Sequence, residues 1–390
     1  MRLIEDFNEI PTLGFITSIQ LVITIWNLST ILRSIQQYLN PSPVSQNLLW
    51  REIEDNVKSI AENTVEIPPL LKPDLNVIIK PIGHHIRAMK TFLYFCPNVR
   101  PILHDFRVSY FTPYGTVDTK RVEKLLVKDQ TLEYGFRYIL ACNNCFEELV
   151  QQLFDHVEVT EINYYKEKPS NVELLSYWTH RMLRTTSVFR NLAIPPGEVR
   201  VQYDYTAEEL ALMYSMQECN KAGIEYFTNC LPRQRFEDIS QEHFSLLLTL
   251  FIERGACRLP PRPDEHKADS IYCLLSRLNE NVRSNILNRN YSYRVLRIFL
   301  SYPFYGLFNT YANKLISHLR ESDTFFLLHD IISLQYLNEH FFGYELFRDL
   351  WHICPENHKE YAREKCGDPS YVGTELVQSA IILADEALAT

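Results

Sequence analysis

Glycine is scarce in this chain: 11 of the 390 residues are glycine, while tyrosine and phenylalanine number 23 and 22. Tight turns, phosphate-binding loops and hairpins depend on glycine, because it tolerates backbone angles that other residues avoid. The scarcity of glycine therefore favours helices. Hydrophobic residues make up 46% and charged residues 22% of the chain, which is ordinary globular usage. The chain can bury a large core, and general disorder is excluded.

Long runs of one charge are also missing, and the formal net charge is −9. A nucleic-acid groove needs a basic stripe that neutralises phosphates and releases counterions. We therefore expect no nucleic-acid partner. The acidic balance also disfavours binding to an acidic membrane surface.

The cysteines lack the spacing of a disulfide framework. There are nine, an odd number, spread from Cys96 to Cys366. The N-terminal "MRLIEDFNEI" has acids where a secretory signal peptide needs basic residues. Reduced cysteines are typical of intracellular proteins. We therefore expect a cytoplasmic protein.

One apolar stretch, "TLGFITSIQLVITIWNLSTIL", is long enough to cross a membrane. It carries Thr, Ser, Gln and Asn throughout, however, and runs into the amphipathic "RSIQQYLN". This pattern predicts a buried core helix, and we expect no membrane partner.

Sequence motifs of common enzymes and cofactor sites are absent. The chain contains no G-x-S-x-G, no Walker loop, no H-E-x-x-H and no glycine-rich dinucleotide turn. "CNNC", 142–145, has the spacing of a redox or zinc motif, but it lies in a helical pattern without a second Cys-x2-Cys. We interpret it as a turn between helices. We assign no catalytic, cofactor-binding or metal-binding residue.

The order of elements is readable from prolines and apolar spacing. Residues 12–39, 45–62 and 84–96 are predicted helices, separated by "NPSPVS", "EIPPLLKP" and "KPIGHH". "VSYFTPYGTVD", 108–118, is predicted to be an ordered loop or short strand. From Asp118 onward the pattern is helical almost to the end.

One apolar stripe recurs along the chain and indicates a degenerate repeat. Counting back from Cys354, apolar residues stand three, four, seven and eight positions earlier, on one face of a helix. The same offsets are wholly or partly apolar before Val157, Leu192, Leu231, Leu278 and Leu319. These six positions, which we call the zero positions, are 35 to 47 residues apart. Such a spacing holds two helices and their loops, as in helical-repeat arrays.

The residues after the zero positions also recur. "PENHK" follows Cys354, "NENVR" follows Leu278 and "PRQR" follows Leu231. "PNVR" follows Cys96, which does not fit the spacing of the zero positions. A proline or asparagine with a polar run predicts a helix end. Because Val and Leu hold the position of Cys354 elsewhere, we interpret Cys354 as a buried residue and not as a ligand.

The segments "ACNNCFEELVQQLF", "ECNKAGIEYFTNCLP" and "LNEHFFGYELFRDLWHICPENHK", together with "FIERGACRL" at 251–259, carry a resemblance. Roughly from residue 130 to 365, the chain resembles diverged ankyrin-like repeats of the large arthropod and nematode families. It lacks the Thr-Pro-Leu-His opening, and its spacing is wider than that of ankyrin units. The resemblance implies protein binding through a concave face, without catalysis.

We therefore predict an all-α protein with an N-terminal helical region at 1–115. Residues 116–390 are predicted to form an α-solenoid of degenerate ankyrin-like helix pairs with a C-terminal capping helix. The predicted function is a non-catalytic scaffold that binds a protein partner. The partner's identity and the oligomeric state do not follow from the sequence.

Two alternatives stay open at this point. The first is an all-α enzyme with an interior pocket lined by His84, His85 or the tyrosine clusters "NYY" and "SYWTH". The second is a haem-responsive protein that uses Cys96-Pro97 and Cys354-Pro355.

Overall fold

The computed structural model is all-helical, as the composition predicts. It describes residues 4, 6–7, 10–38, 43–64, 67–69, 71–95, 107–167, 173–193, 204–248, 265–288, 291–336, 343–367 and 374–389. Their contacts divide the chain into two units, one of 10–156 and one that joins 2–9 to 157–390. The sequence boundary at 115/116 marks where the repeat pattern begins, whereas the division at 156/157 follows spatial contacts.

Unit 1 contains seven α-helices in its described residues. They are α1 (Leu13–Trp26), α2 (Ser29–Tyr38), α3 (Pro43–Asn63), α4 (Lys72–Phe95), α5 (Thr119–Lys128), α6 (Tyr134–Asn143) and α7 (Glu147–Phe154). Helix α1 packs against α3 and α4, and α6 packs against α5 and α7. The Thr12 side chain begins α1 by accepting a hydrogen bond from the Phe15 N–H at 3.2 Å.

The prediction of one helix over 12–39 is wrong, because the chain breaks between α1 and α2. The Asn27 side chain donates to the Ile23 carbonyl at 3.0 Å, and the Asn27 N–H donates to the same carbonyl. An asparagine that bonds the local backbone in this way offers an alternative to the helical ladder. Among the described residues, no single helix is long and apolar enough to cross a membrane. The α1–α2 pair reaches that length only across a 66° bend.

Proline 81 does not separate two helices as the sequence pattern predicts, but lies inside α4. An internal proline removes one N–H donor and costs about 3 kcal/mol. Burial of Leu75, Ile78, Ile82 and Ile86 on α4 offsets this cost and carries the helix through the proline.

Glycine 83 explains how closely α4 approaches α1. A Cβ atom at Gly83 would overlap the indole ring of Trp26, which is fully buried. The absence of a side chain at this position therefore lets α4 lie directly on Trp26.

The 108–118 passage is an ordered loop, as predicted. It begins with the 3-10 helix Val108–Tyr110, and Phe111 and Val117 then form an isolated antiparallel bridge. Gly115 has φ +81°, which favours glycine, and a Cβ there would press on Ile19 and Ile82. No strand longer than this bridge occurs in the described part of the chain.

Unit 2 contains fourteen α-helices in its described residues. They are α8 (Val159–Glu167), α9 (Glu173–Met182), α10 (Thr186–Leu192), α11 (Ala207–Gln217), α12 (Lys221–Cys230), α13 (Arg233–His243), α14 (Glu265–Arg277), α15 (Glu280–Leu287), α16 (Ser292–Phe299), α17 (Tyr305–Leu315), α18 (Glu321–Tyr336), α19 (Gly343–Ile353), α20 (Glu356–Cys366) and α21 (Thr374–Ala389). Many adjacent pairs pack together, including α11 with α12 and α16 with α17. Alternate helices also pack: α12 with α14, α14 with α16, α16 with α18, α18 with α20, and α19 with α21.

Three helix pairs share one turn. Cys145, Arg184 and Cys219 have φ values of 52°, 56° and 52°, between α6 and α7, α9 and α10, and α11 and α12. The following residue donates its N–H five positions back in each case: Phe146 to Ala141 at 3.0 Å, Thr185 to His180 at 2.8 Å, and Asn220 to Ser215 at 2.8 Å. This pattern satisfies carbonyl groups at a helix C-terminus. "CNNC" therefore lies at a turn between helices, as the sequence pattern predicts.

The zero positions lie at the ends of helices. Leu278, Leu319 and Cys354 are buried, and each donates its N–H to the carbonyl three residues earlier at 3.3 Å. The prediction of burial is wrong at Leu192, which is 51% exposed, and Leu231 is only partly buried. Its helix α10 has only seven residues and buries Phe189 alone.

The polar runs after the zero positions do more than end a helix. Pro232, Asn279 and Pro355 occupy the residue before α13, α15 and α20, so each polar run forms the first turn of the next helix. The Asn279 side chain accepts a hydrogen bond from the Val282 N–H at 2.9 Å. The segment "FIERGACRL" and the Cys96-Pro97 dipeptide lie outside the described residues.

Candidate functional site

An open groove of about 390 Å³ lies between α17 and α19 in unit 2. Its apolar lining consists of Phe308, Ala312, Leu350 and Ile353. The first three of these are at most 2% exposed, so they form the floor of the groove. We call this feature the α17–α19 groove.

Helical spacing explains why α17 presents two asparagines beside this floor. Phe308 and Ala312 are one turn apart and face the protein interior, whereas Asn309 and Asn313 are each one residue further on and exposed. The Asn313 side chain donates to the Asn309 carbonyl at 3.0 Å. The Asn309 side chain forms no hydrogen bond with another described residue, so its amide is available to a ligand.

Helix α19 forms the opposite rim with Asp349 and His352. Both side chains are exposed, and both line the groove. Asp349 is held by a long contact from Arg348, whose Nη2 lies 3.4 Å from its carboxylate. The groove therefore combines an apolar floor with amide, carboxylate and imidazole groups at its rim. A groove of this composition has the groups that can receive apolar side chains and form a few polar contacts.

Helix α19 is held in place from behind by polar bonds to α21. The Trp351 Nε1–H donates to the Asp385 carboxylate at 2.8 Å, and the Tyr344 hydroxyl donates to the Ala380 carbonyl at 3.1 Å. Burial opposes ionisation of Asp385, but the bonds from Trp351 and Arg363 outweigh it and lower the pKa of this carboxyl. A rigid helix presents rim residues more accurately than a loop does.

Cys354 lies just beyond the groove, in surroundings that disfavour the thiolate form. Its side chain is buried, and burial raises the pKa of the thiol to about 12 in spite of the Lys359 charge. A thiol ligates as the thiolate, which such a pKa disfavours at neutral pH. His358, also buried, shares a hydrogen bond with Thr324 at 2.8 Å, and His352 is exposed in the groove.

The residues of the enzyme alternative lie in packed helices. The stretch "SYWTH" is buried on α9, where Tyr177 and Trp178 are fully enclosed. The Tyr177 hydroxyl accepts a hydrogen bond from Arg181 and donates one to Glu208, and burial raises the pKa of this phenol. These side chains build the core of unit 2.

The other residues of that alternative belong to both units. In "NYY", Tyr165 is buried while Tyr164 is 55% exposed. His84 and His85 lie on α4 in unit 1, with ring centroids 6.4 Å apart.

The cysteines of "CNNC" are part of the core of unit 1. Cys142 is fully buried, and burial raises the pKa of its thiol well above the usual value. Within the described ranges, no group of three His, Cys, Asp or Glu side chains is placed to hold a metal ion.

Comparison of the chain with protein-family models, curated proteins and solved structures finds no match. The groove therefore has to be interpreted from its own chemistry. Sequence reasoning did not single out Asn309, Asn313 and Asp349. The available signal was an exposed asparagine pair at helical spacing, directly beside a buried apolar stripe.

Proposed function

We propose that the protein is a non-catalytic scaffold that binds a peptide segment of a partner protein in the α17–α19 groove. The observation that carries this proposal is the apolar floor of Phe308, Ala312 and Leu350 beside two exposed asparagines. Asparagine amides can donate to and accept from a peptide backbone, while the floor receives apolar side chains.

The charge of the groove specifies the partner further. Asp349 is its charged lining residue, and no lysine or arginine is among the lining residues. The formal net charge of the chain is −9. A segment with apolar anchors and a nearby lysine or arginine would be attracted to this rim, and the attraction would raise the association rate.

Stacked ankyrin-like helix pairs are the architecture that we propose for residues 116–390. The recurring turns at Cys145, Arg184 and Cys219 and the packing of alternate helices from α12 to α21 support it. In such an array each pair contacts its neighbours and shares a continuous core with them. None of the cysteines in the described part of the chain forms a disulfide, which agrees with the cytoplasmic setting that we propose.

The test uses peptides displayed on phage and selected against the full-length chain. Selected peptides are synthesised, labelled with a fluorophore and titrated with the wild-type protein and with Asn313→Arg/Asp349→Lys. We expect the double variant to bind at least tenfold more weakly, because it fills the rim and reverses its charge.

The control is Glu360→Lys, an exposed acid-to-lysine change on α20 outside the groove, which equals the Asp349→Lys part of the double variant in charge. It should leave the affinity of the selected peptides within twofold of the wild type. Failure to enrich any peptide would contradict the proposal, and so would equal binding by the double variant.

A further inference from the structure

Near the N-terminus the structure describes Ile4, Asp6 and Phe7, which we call the N-terminal segment, and Phe7 is docked in unit 2. This residue is 2% exposed. Its ring stacks on Tyr272 of α14 with centroids 5.5 Å apart, and it meets the edges of Phe299 on α16 and Tyr311 on α17 at 6.1 and 5.6 Å. We call these three aromatic residues and Arg283 the Phe7 cradle.

A hydrogen bond from a side chain of unit 2 also holds the backbone of the segment. The Tyr272 hydroxyl donates to the Phe7 carbonyl at 2.9 Å, a contact between residues 265 positions apart in the sequence. Ile4 is also buried, at 2% exposure, whereas Asp6 between them is exposed. Two apolar side chains with an exposed acid between them are typical of a docked linear peptide.

Arg283 on α15 completes the cradle, but its hydrogen-bonding capacity is only partly used. The guanidinium carbon lies 4.6 Å from the centroid of the Phe7 ring, and Nη2 donates to Glu280 at 2.7 Å. The side chain is 9% exposed. Its Nε and Nη1 are buried and have no hydrogen-bond partner among the described residues. Buried donors of this kind are costly, and a ligand that supplies an oxygen to them gains affinity.

We propose that the Phe7 cradle is a binding site for a peptide that carries a phenylalanine close to a carboxylate, and that the N-terminal segment occupies this site in cis. The cradle supplies the aromatic contacts and the Tyr272 hydroxyl, and Arg283 supplies two N–H groups for the carboxylate. The site is separate from the α17–α19 groove, so the two proposals stand or fall independently.

The covalent link explains why the segment holds the site. Because the segment belongs to the same chain, it binds the site intramolecularly and does not depend on the concentration of a free peptide. A partner peptide of the same composition must compete with it, unless its carboxylate reaches the free donors of Arg283. The segment therefore acts as a built-in competitor that sets the affinity threshold for a partner.

The experiment uses the full chain and a fluorescent peptide of residues 2–9, "RLIEDFNE". The peptide is titrated with the wild-type protein and with Phe7→Ala, and its anisotropy is recorded. We expect Phe7→Ala to bind the peptide at least tenfold more tightly than the wild type, because the variant removes the ring that fills the cradle.

Two further arms test the chemistry of the site. A peptide with alanine in place of phenylalanine should lose binding, and Phe7→Ala/Arg283→Met should bind the original peptide at least tenfold more weakly than Phe7→Ala. The control variant is Phe326→Ala, which removes a half-exposed ring from α18 and should behave as the wild type.

Circular dichroism confirms the helix content of each variant. If Phe7→Ala loses helix content, the Phe7→Leu variant, which keeps apolar volume, takes the place of Phe7→Ala in the same titration. Equal affinities of the wild-type and Phe7-substituted chains, or no binding by the folded Phe7 variant, would overturn the proposal.

Discussion

Two regions of unit 2 hold their helices together by different means. From α9 to α12, tight turns and small residues set the packing. A Cβ atom at Gly223 on α12 would overlap Ser215 on α11 and lie 3.1 Å from a Leu174 methyl group. Next to this contact, Tyr177 and Phe227 pack edge to face at 5.1 Å. Steric fit and aromatic contact are prominent there, beside the hydrogen bond from Tyr177 on α9 to Glu208 on α11.

From α16 to α21, polar side chains link alternate helices. Arg297 on α16 pairs with Asp330 on α18 at 2.7 Å, and His358 on α20 shares its hydrogen bond with Thr324 on α18. Trp351 on α19 bonds to Asp385 on α21. These links join residues 33 to 34 positions apart.

Helices with the same kind of apolar stripe are therefore held together in two ways within unit 2. Where side chains are small, close approach of helices specifies their arrangement, and added volume is the main threat. Where polar pairs join alternate helices, directional bonds specify the arrangement of the helices. A change in the charge or protonation of the paired side chains then lowers stability most.

Leu350→Ala tests the apolar stripe of the polar-linked region. Leu350 is 2% exposed, so truncation should leave a cavity and lower the free energy of unfolding by about 2–5 kcal/mol. Urea denaturation measures this loss. Leu376→Ala on α21, where the side chain is 40% exposed, should cost about 0.5 kcal/mol or less. A loss below about 0.5 kcal/mol for Leu350→Ala would show that the stripe contributes little.

Gly223→Ala tests the steric contact of α11 and α12. The added Cβ should lower the free energy of unfolding by about 1–3 kcal/mol, since it overlaps Ser215. Adding Ser215→Gly should recover part of the loss, which a double-mutant cycle detects. Gly14→Ala is the control: its Cβ meets nothing within 4 Å, and stability should stay equal or rise. If Gly223→Ala behaved like Gly14→Ala, close approach would not specify this region.

The dependence of stability on pH tests the buried histidines. Burial lowers the pKa of His180 and of His358 from the usual 6.5. Near this pH the unfolded chain binds more protons than the folded one, so stability is complete above about 6.5 and falls as the pH decreases. Chemical denaturation between pH 8 and 5 measures the slope.

His358→Gln should flatten part of this slope, because glutamine can bond to Thr324 without titrating. The exposed His318→Gln is its control and should leave the slope unchanged. An unchanged slope in His358→Gln would show that the bond between α18 and α20 does not couple stability to pH.

Asn357→Ala should have the smallest effect. The Asn357 side chain is exposed and donates to the Glu321 carboxylate at 2.9 Å, across α20 and α18. Exposed contacts of this kind contribute about 0.5 kcal/mol or less to the free energy of unfolding. A loss above about 1 kcal/mol in thermal or urea denaturation would show that exposed polar links also hold this region together.

Sequence patterns predicted the features that depend on near neighbours in the chain. The all-helical class, the ordered loop at 108–118 and the turn at "CNNC" follow from spacing within about ten residues. The burial of Cys354 follows from the recurrence of its apolar stripe along the chain. The break at Asn27 and the helix running through Pro81 did not follow. There, a local side-chain bond or distant apolar contacts override the general preference of the residue type.

By itself, the sequence determined that the chain forms helices with one apolar face, because a period of 3.6 residues is a local property. Only the tertiary structure decided which faces meet. It placed Asn309 and Asp349 on opposite rims of one groove, and it seated Phe7 against Tyr272, 265 positions away. Such sites depend on the packing of helices that are distant in the chain, and no local pattern of residues encodes that packing.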